Sequence, residues 1–249
     1  MSLARTGPGA KPLLVVKCGS ALPALRETRG DYEDWILAGM GLAREDARVA
    51  AVAEGAELPA PQQVAAAVLT GSSAMVSERA DWSERTAAWL REAVASGLPV
   101  LGICYGHQLL AHALGGRVAR NPRGREIGSV DVETLPAARE DALLGALPQR
   151  LCVHATHVES VLELPAGARH LAASECDPHQ AFSVGDSAWG VQFHPEFDAG
   201  VIRGYLEVRR EILAREGLDA DALLARVRES GDGRALLRRF ALLGGLRFA

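Results

Sequence analysis

The run Pro99-Val100-Leu101-Gly102-Ile103-Cys104-Tyr105-Gly106-His107-Gln108-Leu109-Leu110 sets a cysteine between two glycines, in the frame Gly102-x-Cys104-x-Gly106. An apolar run leads into it and a helix-like run follows. That is the frame of a nucleophile elbow, a tight strand-to-helix turn presenting a reactive side chain, here a thiol in place of a hydroxyl. Glycines are needed two residues to either side because a Cβ there would collide across the turn. The thiol then sits at a helix N-terminus, where backbone N–H groups and the helix dipole favour thiolate. A lone buried cysteine at a strand end is the plain alternative. The paired glycines and the strand–turn–helix context favour the elbow.

A second segment, Gly190-Val191-Gln192-Phe193-His194-Pro195-Glu196, carries a base and an acid. In extended chain His194 and Glu196 point to the same side. A carboxylate there holds one imidazole nitrogen while the other faces a thiol, which is the logic of nucleophile, base and orienter. His-Pro-Glu alone reads as a surface turn. Beside the elbow the catalytic reading is the stronger, with Cys104 as nucleophile, His194 as base and Glu196 as its orienter.

Together these segments resemble a class I glutamine amidotransferase, most closely the glutaminase domain of GMP synthases and its stand-alone relatives, over about residues 12 to 200. The resemblance implies a three-layer, flavodoxin-like α/β domain whose triad releases ammonia from glutamine without metal or organic cofactor. It also implies an oxyanion hole from the N–H groups of Gly71 and Tyr105. Gln108 matches the glutamine of the family's Cys-x-Gly-x-Gln run. Thr156-His157-Val158-Glu159-Ser160-Val161 is similar to the Ser-His-Gly-Asp-x-Val segment, which makes Glu159 the partner of the substrate α-amino group. Ser72 and His157 join Gln108 and Glu159 as expected substrate contacts. Arg125-Glu126-Ile127-Gly128 is similar to the family's Arg-Glu-Phe-Gly segment. The chain departs from the family pattern in having Gly71-Ser72-Ser73 where Gly-Gly-Pro is common, and in the extra methylene of Glu159.

The elements that must position these residues follow from periodicity. Leu13–Lys17, Val49–Ala53, Val64–Leu69 and Leu98–Ile103 are apolar runs expected as buried strands. Asp31–Met40, Asp81–Ser96 and Gly106–Leu114 carry helical spacing. Continuous apolar strands between helices predict a mostly parallel central sheet covered on both faces. From Arg117 to Gln192, short runs broken by Gly, Pro and Asp predict antiparallel hairpins at one edge. Asp198–Glu216 reads as one helix, and residues 217–249 hold two amphipathic patterns expected to pack on the domain or a partner. Residues 1–10 read as a flexible leader before a glutaminase domain at 11–216.

The 249 residues are 48% hydrophobic and 23% charged, a globular composition that excludes disordered and collagen-like classes. The net charge of −4 argues against nucleic acid. Nine arginines between Arg203 and Arg239 are interleaved with seven acids, a solvated helix surface. Cys18, Cys104, Cys152 and Cys176 show no metal or disulfide spacing. No run approaches a membrane helix and no signal peptide opens the chain, so a cytoplasmic location is expected. Neither an ATP-pyrophosphatase Ser-Gly-Gly-Val-Asp loop nor a P-loop is present, so the chain reads either as a subunit that passes ammonia to a separate synthetase subunit or as a self-contained hydrolase. A γ-glutamyl peptidase or hydrolase acting on γ-glutamyl conjugates is the enzymatic alternative. A non-catalytic binding relative is a third reading, and homo-oligomerisation stays open.

Overall fold

The computed structural model describes residues 11–246; the leader at 1–10 and residues 247–249 lie outside the described residues. The chain opens with β1 (Leu13–Lys17), α1 (Pro23–Arg29), α2 (Tyr32–Met40), β2 (Ala47–Ala51) and β3 (Ala66–Leu69). It continues through α3 (Asp81–Ala95), β4 (Val100–Ile103), α4 (Tyr105–Ala113), β5 (Arg117–Arg120), β6 (Glu126–Thr134), β7 (Arg150–His157) and β8 (Glu159–Glu163). The last elements are β9 (Arg169–Ala173), β10 (Ala181–Val184), β11 (Ala188–Val191), α5 (Ala199–Val208), α6 (Arg210–Arg215), α7 (Ala220–Ala225) and α8 (Asp232–Leu243).

Nine strands form one sheet in the order β2-β1-β3-β4-β11-β10-β9-β6-β7. The first five are mutually parallel, and β10, β9, β6 and β7 extend the sheet as an antiparallel arm. Leu13 to Val16, Ala66 to Leu69 and Val100 to Ile103 are buried throughout, because a parallel sheet with helices on both faces leaves no wet side. One face packs Ile36, Met40, Tyr205, Leu206, Leu236 and Phe240 of α2, α5 and α8. The other packs Trp89, Leu90, Leu109 and Leu110 of α3 and α4. The result is the expected three-layer α/β architecture.

Three local features differ from the periodicity reading. α1 has no counterpart in the periodicity reading; Pro23 occupies its first turn, where a missing N–H costs nothing. The helix expected over 198–216 divides at Arg209, which leaves helical geometry at φ −96° and ψ 9° and sets its guanidinium 5.4 Å from the centre of the Tyr205 ring. β5 and β8 pair with each other as a separate ribbon rather than joining the arm. No helix among the described residues is long and apolar enough to cross a membrane.

Candidate active site

Strand register brings the two sequence motifs together. β4 lies between β3 and β11, with Gly102 opposite Leu69 on one side and Gly190 on the other. The segments leaving all three strands therefore converge at their carboxyl ends, where parallel α/β sheets form their crevices. Cys104 N–H donates to the Val191 carbonyl at 2.9 Å, joining the elbow to the strand that leads to His194.

Cys104 caps α4 with φ 52° and ψ −99°, a left-handed conformation that a side-chain-bearing residue holds at a cost of about 1–3 kcal/mol. The glycines permit it. A Cβ on Gly102 would meet the His107 amide nitrogen at 2.8 Å, and one on Gly106 would meet Leu69 Cβ at 2.6 Å. Tyr105 is the first residue of α4, so its N–H has no acceptor one turn earlier in the helix.

His194 donates its backbone N–H to the His154 carbonyl at 2.8 Å. Its Nδ1 is 2.7 Å from Glu196 Oε1, and both side chains are buried. With Nδ1 committed to the carboxylate, Nε2 is left for Cys104. Phe197 stacks on the imidazole with ring centres 4.0 Å apart, and the Tyr32 ring lies roughly parallel at 5.8 Å. Burial lowers the His194 pKa, but the Glu196 carboxylate and the Cys104 sulfur outweigh it and raise the imidazole to about 10. Burial pushes the Cys104 thiol up, yet the charge and hydrogen bond of His194 bring it below its ordinary 9.0. The other three thiols go the opposite way, with burial raising Cys18 to about 12 and Cys176 to about 11 and also raising Cys152.

Gly71 closes the other side. A Cβ there would lie 2.8 Å from His194 Cε1, so only a bare Cα fits against the imidazole. Thr70 Oγ1 accepts from Cys18 N–H at 3.0 Å and donates to the Gly71 carbonyl at 2.9 Å, which pins the loop. Ser72 Oγ accepts from Ala74 N–H at 3.1 Å.

The remaining expected contacts form a buried polar network. Gln108 Nε2 donates to the Glu159 carbonyl at 2.8 Å and to Gln192 Oε1 at 3.0 Å. The Glu159 carboxylate accepts from the hydroxyl and the N–H of Ser77. His157 Nδ1 is 2.9 Å from the Glu159 carbonyl, and its Nε2 is 2.9 Å from Glu126 Oε2. Both ring nitrogens thus face acceptors. Burial lowers the His157 pKa, but its hydrogen bond to Glu126 prevails and raises it. Glu126 also accepts from Ser174 Oγ at 2.6 Å and from Gln180 Nε2 at 2.5 Å. Among the described residues no group of histidines, cysteines and acids is arranged to hold a metal.

The model of the glutamine amidotransferase class-I family matches residues 53–207, which carry the elbow, the Gly71 loop and the His-Pro-Glu segment. The chain belongs to the class-I glutamine amidotransferase family of enzymes. It is 40% identical to a glutamine-hydrolysing GMP synthase of Aeropyrum pernix over 134 residues, covering 54% of this chain and 24% of that protein. It is 32% identical to gamma-glutamyl peptidase 4 of Arabidopsis thaliana over 137 residues, covering 54% of this chain and 55% of that protein. The chain thus spans about a quarter of the first relative and about half of the second. The crystal structure of a glutamine amidotransferase from Thermotoga maritima superposes with a TM-score of 0.74 at 24% identity, over 94% of this chain and 97% of that one.

Several residues of this amidotransferase site escaped the sequence reading. Tyr32 and Phe197 flank His194, and Ser77 engages Glu159 across 82 positions of chain. Glu126, noted for its motif alone, is the buried partner of His157. Phe197 lies three residues beyond His194, close enough in the chain for local spacing to mark it. Tyr32 and Ser77 come from distant segments, and no local spacing points to them.

Proposed function

We propose that this amidotransferase hydrolyses the side-chain amide of glutamine through a γ-glutamyl thioester on Cys104. The Cys104 sulfur attacks the γ-carboxamide carbon as thiolate, its proton held on His194 Nε2. The tetrahedral oxyanion is met by the N–H groups of Gly71 and Tyr105; losing one such donor typically costs about 10²–10³ in rate. His194 returns the proton to nitrogen as the C–N bond breaks, and ammonia leaves. His194 then takes a proton from water, whose oxygen attacks the thioester. The C–S bond breaks, the thiol is restored and glutamate departs. Glu196 holds the imidazole by Nδ1 and offsets its positive charge. Ser72, Gln108, His157 and Glu159 line or support the glutamine site, with Glu159 facing the α-amino group.

The observation carrying this reading is the Cys104 thiol, held in strained backbone and drawn below its ordinary pKa by an imidazole that Glu196 orients at 2.7 Å. The test is a panel of L-glutamine, γ-glutamyl dipeptides and γ-glutamyl amines. Glutamine turnover that vanishes in Cys104→Ala is expected; full turnover in that variant would remove Cys104 from the chemistry.

The likeness to a gamma-glutamyl peptidase over about half of that protein's length favours a second reading, in which the same residues cleave γ-glutamyl conjugates. Preference for dipeptides over glutamine in the panel would select it. For a glutaminase, we propose a separate synthetase subunit as ammonia acceptor. The free state of all four cysteines suits the reducing cytoplasm.

A further inference from the structure

We propose that the start of α8 is a positioning element for the catalytic loop, acting through the contact of Gly233 with Pro195. α8 lies beyond residue 207, outside the family match. Gly233 is the second residue of this helix, where alanine would be the better helix former by up to about 1 kcal/mol. Space explains the glycine. A Cβ at Gly233 would stand 2.5 Å from the Pro195 carbonyl oxygen, 2.7 Å from its Cα and 2.9 Å from its carbonyl carbon. Those are backbone atoms, so no side-chain rotation relieves the clash. Pro195 is the residue between His194 and Glu196, so a push on it moves base and orienter together.

The approach is anchored from the other side. Ser230 Oγ donates to the Cys152 carbonyl at 2.5 Å, and Asp232 Oδ2 accepts from Cys152 N–H at 2.8 Å. Ser230 Oγ also accepts from Asp232 N–H at 3.1 Å. These bonds tie the helix start to β7, two residues before His154, whose carbonyl receives His194 N–H. Beside the contact lies a cavity of about 530 Å³ lined in part by Trp35, His154, Glu196, Ser230 and Arg234. Gly233 is thus a narrow bridge between the extension and the loop.

The inference rests on the triad reading of Cys104, His194 and Glu196. Its test compares Gly233→Ala with Gly231→Ala in the full chain. A Cβ on Gly231 meets nothing within 4 Å, so that variant controls for the helix-start backbone. The readouts are kcat and KM for L-glutamine, the pH profile of Cys104 alkylation by iodoacetamide, and Tm. Gly231→Ala should match wild type. Gly233→Ala should lose up to about 10²-fold in kcat, the scale of a 1 Å misplacement, with KM little changed and the thiol pKa raised. Equal kcat and equal alkylation profiles in the two variants would overturn the proposal. If Gly233→Ala does not fold, Ser230→Ala/Asp232→Ala decides, since it loosens the anchor without inserting volume. A fall in its kcat with a shifted alkylation profile supports the proposal, and wild-type values refute it. Cys104→Ala run in parallel separates the two claims: full turnover there defeats the triad reading, whereas its loss alongside a silent Gly233→Ala defeats this inference alone.

Discussion

At the scale of single residues, the triad proposed above would behave as a coupled acid and base. The thiolate exists above the depressed Cys104 pKa and is lost as pH falls through it. The imidazolium exists below the raised His194 pKa and is lost as pH climbs through about 10. The reactive pair therefore spans the window between these limits. The profile of kcat/KM against pH for glutamine should fall on both sides, with the alkaline limb near 10. Glu196→Gln keeps a hydrogen-bond acceptor but removes the anion that raises His194. Its alkaline limb should move to lower pH, and its rate should drop within the range of about 10²–10⁴ typical of acid–base catalysis. An unchanged profile would mean that another group orients His194. Iodoacetamide near neutral pH should label Cys104 before the other thiols, because burial holds Cys18 near 12 and Cys176 near 11. Peptide mapping that finds either of those modified first would contradict this order.

At the scale of elements, turns and strands hold the site through contacts with little slack. Gly102 lies against the backbone of Gly106, and two backbones in contact cannot give way as side chains do. Gly102→Ala should therefore open the elbow, at the cost of about 1–3 kcal/mol usual for overpacking. A Tm unchanged from wild type, with activity retained, would show that the turn accommodates the methyl. The His157–Glu126 pair ties β7 to β6, and Glu126 is also held by Ser174 and by Gln180. Glu126→Ala leaves the buried His157 ring nitrogen, the Ser174 hydroxyl and the Gln180 amide without their shared acceptor, a change worth about 1–3 kcal/mol for each buried polar group left unsatisfied. Urea denaturation should show that loss in the midpoint, and Glu126→Gln should lose less.

At the scale of the whole molecule, we propose that residues 217–246 form one folding unit with the amidotransferase domain. Leu236, Leu237 and Phe240 of α8 are fully buried, on the face shared with Ile36 and Met40 of α2. A short helix gains little stability from its own hydrogen bonds, so such burial must hold it. Phe240→Ala should cost about 3–5 kcal/mol. Limited proteolysis of the wild type should leave Gly217 resistant, and the variant should be trimmed there. Rapid trimming of the wild type with no change in Tm would refute a packed extension. Leu243, at helical spacing from Leu236 and Phe240, is expected on the same face by periodicity, but it is 36% exposed; Leu246, beyond the end of α8, is buried instead.

The frame of the elbow and the buried strands and helices up to α4, apart from α1, were legible in the sequence alone, because each depends on neighbours within a few residues. Gly102 and Gly106 flank Cys104 at the spacing a tight turn requires, and apolar runs of four or five residues mark the buried parallel strands. What joins distant segments was decided by the tertiary structure. The pairing of β4 with β11 sets Val191 beside Ile103 and so brings His194 to Cys104. The aromatic flanks of His194, the hold of Ser77 on Glu159 and the touch of Gly233 on Pro195 depend on the same assembly. Periodicity records which face of an element is buried; it carries no information about which other buried face lies against it.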